Sequence, residues 1–68
     1  MPQPIAVKLR VLREERGLTQ KEAAELADVS PWTLYCLETG KRAPYMPTVT
    51  MIAGAYGIPL EELVGEEE

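Results

Sequence analysis

Few side chains in this 68-residue sequence could carry out covalent chemistry. The single cysteine, Cys36, has no histidine to activate it, because the sequence contains none. Nucleophile pairs of the Ser–His and Cys–His types are therefore excluded, as are an internal disulfide and a Cys/His metal cluster. Gly54 and Gly57 are too sparse a pair for a phosphate-binding loop. The sequence therefore predicts a protein that is not an enzyme and needs no metal or cofactor.

A second set of side chains has a spacing that suits contact with duplex DNA. Leu34 and Leu37 mark the inner face of a short helix that begins at Pro31, so the opposite face is predicted to point outward. That outward face carries Trp32, Tyr35, Cys36 and Thr39. Indole and thiol groups can pack on thymine methyl groups, so direct readout here would depend on apolar contact and on DNA shape.

Hydrophobic periodicity and capping signals predict the helices that position these residues. Thr19 and Glu22 have capping-box spacing, and Ser30 followed by Pro31 is a second helix start. The predicted helices cover residues 5–16, 20–27, 31–39, 46–56 and 60–64. We therefore predict an all-α bundle in a single domain over residues 1–68, ordered over about 5–64 and followed by an acidic tail at 65–68.

The second and third predicted helices are separated by Asp28 and Val29 alone. Asp28 must reverse the chain, and a left-handed conformation is one that aspartate tolerates better than most residues. Two short helices joined by such a turn form the bihelical unit of many DNA-binding proteins. Helical hairpins of this spacing are also common in ordinary bundles, so spacing alone is a weak indication of DNA binding.

The net charge of −4 is unfavourable for a DNA-binding protein only when it is averaged over the whole chain. Five of the eleven acidic residues lie in the last eight positions, and residues 1–60 hold seven basic and six acidic side chains. The acidic tail is therefore separable from the body of the protein. The sequence has no apolar run long enough for a membrane span or an export signal, which with the lone cysteine predicts a cytoplasmic location.

The order of these segments resembles the Xre-like helix-turn-helix family of Cro and the lambdoid phage repressors. The resemblance is carried by residues 9–20, 23–27, 29–30 and 37–42 with Pro44, and it continues through 46–49, 52–53, 56–58 and 60–63. It implies a five-helix domain of the lambda-repressor-like type that binds operator DNA as a dimer, with its third helix in the major groove. We therefore expect a transcriptional regulator, a repressor in particular, that recognises a partly palindromic operator in double-stranded DNA.

The resemblance also assigns roles to individual residues. Base-reading positions are held by Pro31, Trp32, Thr33, Tyr35 and Cys36. Phosphate-contacting positions are held by Thr19, Gln20, Ser30, Thr39, Lys41 and Arg42, and the free N–H groups at the start of the second helix favour a phosphate beside Thr19 and Gln20. Arg13 and Glu38 occupy positions where family members often carry an interior ion pair, for which we expect a structural role.

Two surfaces of the predicted fold could bind a protein rather than DNA. Trp32 and Tyr35 could instead form a protein-binding patch, because both residue types are enriched in interface hot spots. Ile58, Leu60, Leu63 and Val64 offer apolar surface that we expect to contribute to a homodimer. An antitoxin-like or regulatory module that binds a protein partner through either surface is the alternative to a DNA-binding regulator.

Overall fold

The computed structural model describes residues 4–64, and the predicted acidic tail at 65–68 lies outside the described residues. The helices are α1 (Ile5–Glu15), α2 (Gln20–Ala27), α3 (Pro31–Thr39), α4 (Met46–Tyr56) and α5 (Glu61–Val64). Over the described range the chain forms no strand. The predicted all-α architecture is confirmed, with α1 ending one residue earlier and α5 beginning one residue later than predicted.

Side-chain caps begin the second and third helices. The Glu22 backbone N–H donates to Thr19 Oγ1 at 3.0 Å, and the Thr19 N–H donates to Glu22 Oε1 at 2.9 Å. This reciprocal capping box satisfies two backbone donors that the helix itself leaves without partners. At α3 the Thr33 N–H donates to Ser30 Oγ at 3.0 Å, and proline occupies the first turn. The two local signals therefore fix where each helix of the pair begins.

The reversal between α2 and α3 occurs at Asp28. Its backbone is left-handed, with φ 60° and ψ 41°. The next N–H, that of Val29, returns to the Ala24 carbonyl at 3.0 Å, which closes the end of α2. Val29 then packs against the hydrophobic core, so the turn is held by a backbone bond and by an apolar contact.

The core lies where α2 and α3 meet their neighbours. α2 packs against α3 and α4, while α1 packs against α3 and α5. Fully buried side chains include Leu9, Leu34, Val49, Ile52 and Leu63. The inward residues of α2 are Ala23, Ala24 and Ala27, whose small size allows the adjacent helices to approach closely. None of the helices within residues 4–64 is both long enough and apolar enough to cross a bilayer.

The C-terminal segment differs from the prediction of a free dimerisation surface. Leu63 has no exposed area and belongs to the core, while Ile58 and Leu60 are half-buried against it. Because α5 is a short helix that packs on α1, its inward residue fills the core of its own chain. The expectation that Leu63 contributes to a dimer contact is therefore wrong, and the side chain of Val64 lies outside the described residues.

Candidate nucleic-acid interface

The outward face of α3 presents two aromatic rings. Trp32 is 57% exposed, and Tyr35 is half-buried beside it. The two ring centroids lie 5.4 Å apart, with an angle of 26° between the ring planes. Stacking of this kind orients both rings, because each restricts the rotamers of the other. The result is a continuous aromatic surface at the start of α3.

This aromatic pair lines a shallow surface depression shared with two other segments. Pro31, Trp32 and Tyr35 contribute from α3, Gln20 contributes from the first residue of α2, and Lys41 contributes from the loop after α3. Five residues predicted from the sequence to contact DNA thus lie together on one surface. They combine apolar rings, an amide, a cation and the positive end of the α2 dipole.

Cys36 departs from the predicted arrangement, because it is buried rather than outward-facing. Its residue exposure is 1%, so the thiol cannot reach a base edge, and the prediction that Cys36 reads bases is wrong. The physical reason is that α3 packs against both α1 and α2. Its buried residues are Leu34, Cys36, Leu37 and Glu38, a wider arc than the single face predicted from two leucines.

Two hydroxyl groups at the ends of α3 donate hydrogen bonds within the chain. Ser30 Oγ donates to Thr33 Oγ1 at 2.8 Å, and Thr39 Oγ1 donates to the Tyr35 carbonyl at 2.8 Å. Each hydroxyl has a single hydrogen to donate. In this structure, therefore, Ser30 and Thr39 donate within the chain and would have to give up these bonds to donate to a phosphate.

Two adjacent cations follow α3. Gly40 is left-handed, with φ +75°, and the Lys41 N–H donates to the Cys36 carbonyl at 3.0 Å. This turn ends the helix and projects an exposed pair, Lys41 and Arg42, from its C-terminus. Arg42 lines a second depression with Thr33, Leu37, Ala43, Tyr45 and Thr48. Positive charge is consequently available at two different surfaces beside α3.

A buried ion pair connects this surface to α1. Arg13 Nε and Nη2 donate to the two carboxylate oxygens of Glu38 at 2.8 and 3.1 Å, in the bidentate geometry that guanidinium groups favour. The Glu38 side chain is 1% exposed, and its hydrogen bond raises the pKa of Arg13. Arg13 Nη1 also donates to the Leu18 carbonyl at 2.8 Å, which ties the loop before α2 to the same group.

This ion pair is also joined to Gln20, the residue at the start of α2 that is predicted to contact a phosphate, by a bond that no sequence motif indicates. Gln20 Nε2 donates to Glu38 Oε1 at 3.0 Å. Residues 20 and 38 lie in different helices, so neither helical periodicity nor a capping motif relates them. One N–H of the Gln20 amide is thereby engaged, and the second remains available to a ligand at the surface.

A family model described as helix-turn-helix matches residues 9–63 of the chain. A transcriptional repressor of the cryptic phage CTXphi, RstR from Vibrio cholerae, is 41% identical over 61 residues, covering 90% of this chain and 55% of the relative. The immunity repressor protein of Bacillus phage phi105 is 36% identical over 63 residues, covering 93% of this chain and 44% of the relative. The chain thus spans about half the length of these curated relatives.

Solved structures agree with the family match. The crystal structure of an HTH_3 family transcriptional regulator from Vibrio cholerae superposes with a TM-score of 0.84 at 30% sequence identity. The superposition covers 93% of this chain and 35% of that one. The sequence match and the superposition both include the α2–turn–α3 unit and the helices that support it. This chain belongs to the helix-turn-helix family, whose matched members are named as transcriptional repressors and regulators.

Proposed function

We propose that the chain is a DNA-binding transcriptional regulator that represses by placing α3 in the major groove of an operator. The observation that carries this proposal is the surface shared by Gln20, Trp32, Tyr35 and Lys41, which joins the α2 N-terminus to the outward face of α3. An α-helix fits the major groove, where base edges are accessible. In this proposal residues 5–64 form the DNA-binding domain, and the protein acts in the cytoplasm.

Phosphate contacts would position α3, and the structure offers groups of suitable chemistry for them. Gln20 lies at a helix N-terminus, where free N–H groups and the helix dipole favour an anion. Lys41 and Arg42 are exposed just after the C-terminus of α3. Ser30 and Thr39 would act less directly, because their hydroxyl hydrogens are donated within the chain. The Thr19 hydroxyl accepts the bond from the Glu22 N–H, so its own hydrogen can still be donated to a phosphate. Several such contacts predict binding that weakens steeply with salt.

We further propose that two copies bind a partly palindromic site. Proteins that bind through two copies of such a unit place their recognition helices about 34 Å apart, one turn of DNA. Two-fold association is the commonest oligomeric arrangement. Ile58 and Leu60 remain candidates for the contact between copies, since both retain exposed area. Leu63 is not available for it.

A protein-binding module is the second candidate, and the exposure of Trp32 is the observation that favours it. An indole that is 57% exposed is typical of an anchor residue in a protein interface. The cations beside α3 and the amide at the α2 N-terminus favour DNA instead, because phosphates need donors and positive charge. The burial of Leu63 also removes part of the C-terminal surface that this candidate could use.

Selection of bound fragments from a random duplex pool, at two salt concentrations, tests the proposal. We expect enrichment of a site with two related half-sites and a log–log salt slope of roughly −4 to −8. Tyr35→Ala should change the selected sequence rather than weaken binding to all sequences alike. A uniform loss would reassign Tyr35 to the phosphate backbone. Failure to retain any duplex, together with capture of a stoichiometric protein partner, would support the second candidate.

A further inference from the structure

The side-chain donors that α3 offers to a ligand are single groups, the indole N–H of Trp32 and the hydroxyls of Thr33 and Tyr35. Ser30 donates to Thr33, and Thr39 donates to a backbone carbonyl within the same helix. Cys36 is withdrawn into the interior. Amide and guanidinium side chains, which read base edges through paired hydrogen bonds, are missing from the α3 sequence PWTLYCLET. The face therefore lacks the paired donors and acceptors that distinguish bases most sharply by hydrogen bonding.

The same face is rich in apolar ring surface. Pro31 and Trp32 are exposed, and the indole stacks on the Tyr35 ring with centroids 5.4 Å apart. Because the stacked pair is already ordered, little side-chain entropy is lost when a ligand contacts it. Lys41 and Gln20 line the same depression as the pair and supply an ammonium and an amide for phosphates beside it. This arrangement suits a ligand that presents an apolar group between negatively charged phosphates.

The major groove presents one apolar group of this kind, the C5-methyl group of a pyrimidine. Thymine carries it in ordinary DNA, and 5-methylcytosine presents the same methyl group. We propose that the Trp32–Tyr35 pair recognises pyrimidine C5-methyl groups, so that base discrimination rests mainly on methyl contact. This inference rests on the proposed function, because it presupposes that α3 enters the major groove.

The proposal predicts a measurable effect of a single methyl group. Burial of one methyl-sized apolar group corresponds to about fourfold in affinity, and two symmetric half-sites to about fifteenfold. A base contact made by hydrogen bonds alone would not change in affinity when only the methyl group is removed. The methyl effect can therefore be separated from every other feature of the base pair.

The test uses the duplex selected from the random pool and replaces each thymine in turn by deoxyuridine, which lacks only the methyl group. A parallel set replaces cytosines by 5-methylcytosine. Binding is measured by fluorescence anisotropy for the full chain and for Trp32→Ala. Leu26→Ala is the matched control, because Leu26 is an apolar side chain on α2 that is 61% exposed. Circular dichroism verifies that each variant is folded.

We expect at least one thymine in each half-site at which deoxyuridine weakens binding about fourfold. Trp32→Ala should abolish that difference, and Leu26→Ala should preserve it. If 5-methylcytosine raises the affinity and deoxyuridine does not lower it, the methyl group that the pair recognises is that of 5-methylcytosine rather than that of thymine. If neither replacement alters affinity at any position while sequence-selective binding persists, methyl recognition is wrong and the proposed function stands. If no duplex is bound, the proposed function itself fails.

Discussion

The side-chain amide of Gln20 donates a hydrogen bond to the carboxylate of Glu38, with 3.0 Å between Nε2 and Oε1. The same carboxylate accepts two hydrogen bonds from Arg13. The first residue of α2 is therefore attached to a buried charge near the end of α3. This bond restrains the Gln20 amide, so that a ligand meeting it finds one rotamer already selected.

Replacing Arg13 by methionine should strongly destabilise the fold. Glu38 would keep a carboxylate that is almost fully buried and would lose its charged partner. The expected loss in the free energy of unfolding is about 3–5 kcal/mol, measured by urea denaturation. Glu14→Gln is the control, since Glu14 is 60% exposed and 4.0 Å from Arg13 Nη2. Unchanged stability of Arg13→Met would show that the pair has no structural role.

Replacing Tyr56 by phenylalanine should stabilise the protein slightly. The Tyr56 hydroxyl is buried, and no hydrogen-bond partner for it occurs within residues 4–64. Removing an unsatisfied buried hydroxyl relieves its desolvation penalty, so the free energy of unfolding should rise by about 1 kcal/mol. The Arg16 guanidinium, 5.3 Å from the ring centroid, can remain over a phenyl ring. A loss of stability on thermal unfolding would contradict this assignment.

The same phenol should make stability fall in alkali. Burial, reinforced by the negative charge of Glu38, raises the pKa of Tyr56 to about 12. An unfolded tyrosine titrates near pH 10, so between about pH 10 and 12 the unfolded state releases a proton that the folded state retains. Stability should therefore decrease as pH rises through this window. Comparing unfolding of the wild type and Tyr56→Phe against pH isolates the effect, which the variant should lack.

Replacing Asp28 by glycine should stabilise the turn between α2 and α3. Within residues 4–64, Asp28 is the one residue that is not glycine and has a positive φ, at 60°. Left-handed backbone costs an L-residue about 1–2 kcal/mol, although the greater freedom of glycine in the unfolded chain offsets part of the gain. We expect a net increase of about 0.5–1 kcal/mol by chemical denaturation.

Gly40→Ala provides the converse measurement at the turn that ends α3. Gly40 lies at φ +75°, and an added Cβ would meet nothing within 4 Å. Any cost therefore reports backbone strain alone, and we expect a loss of about 1 kcal/mol. A gain from Gly40→Ala, or a loss from Asp28→Gly, would show that strain at positive φ does not control these turns.

Replacing Lys41 by glutamine should weaken binding to all DNA sequences alike. Lys41 is exposed beside the aromatic pair, where its charge would neutralise a phosphate. Each lost phosphate contact reduces the log–log salt slope by about 1 per protomer. Arg10→Gln, which removes an exposed charge on α1, is the control and should leave the slope unchanged. A changed site preference with an unchanged slope would assign Lys41 to base recognition.

Replacing Leu63 by alanine should destabilise the folded chain. Leu63 is fully buried, and truncation of a buried leucine costs about 2–5 kcal/mol. Because the contact lies within one chain, the loss should be the same at every protein concentration. Thermal unfolding over a hundredfold concentration range checks this. If the loss of stability becomes larger on dilution, Leu63 contributes to a contact between copies of the chain.

Local sequence was sufficient to predict most of the helices and the turn between α2 and α3. The Thr19–Glu22 capping box, the Ser30–Pro31 start and the chain reversal at Asp28 are interactions among residues close in sequence. Their geometry depends on backbone donors within one turn of the helix, so residue type and spacing determine them. The outward position of Trp32 follows in the same way from the placement of Leu34 and Leu37.

The tertiary structure decided which residues each helix buries and which distant groups meet. Hydrophobic periodicity identifies an apolar side of a helix, but not how many neighbours cover it, so Cys36 and Leu63 were expected at surfaces and are buried. The bond between Gln20 and Glu38 joins two helices. Its formation depends on the crossing of whole helices, which arises from packing of the entire core rather than from any local signal.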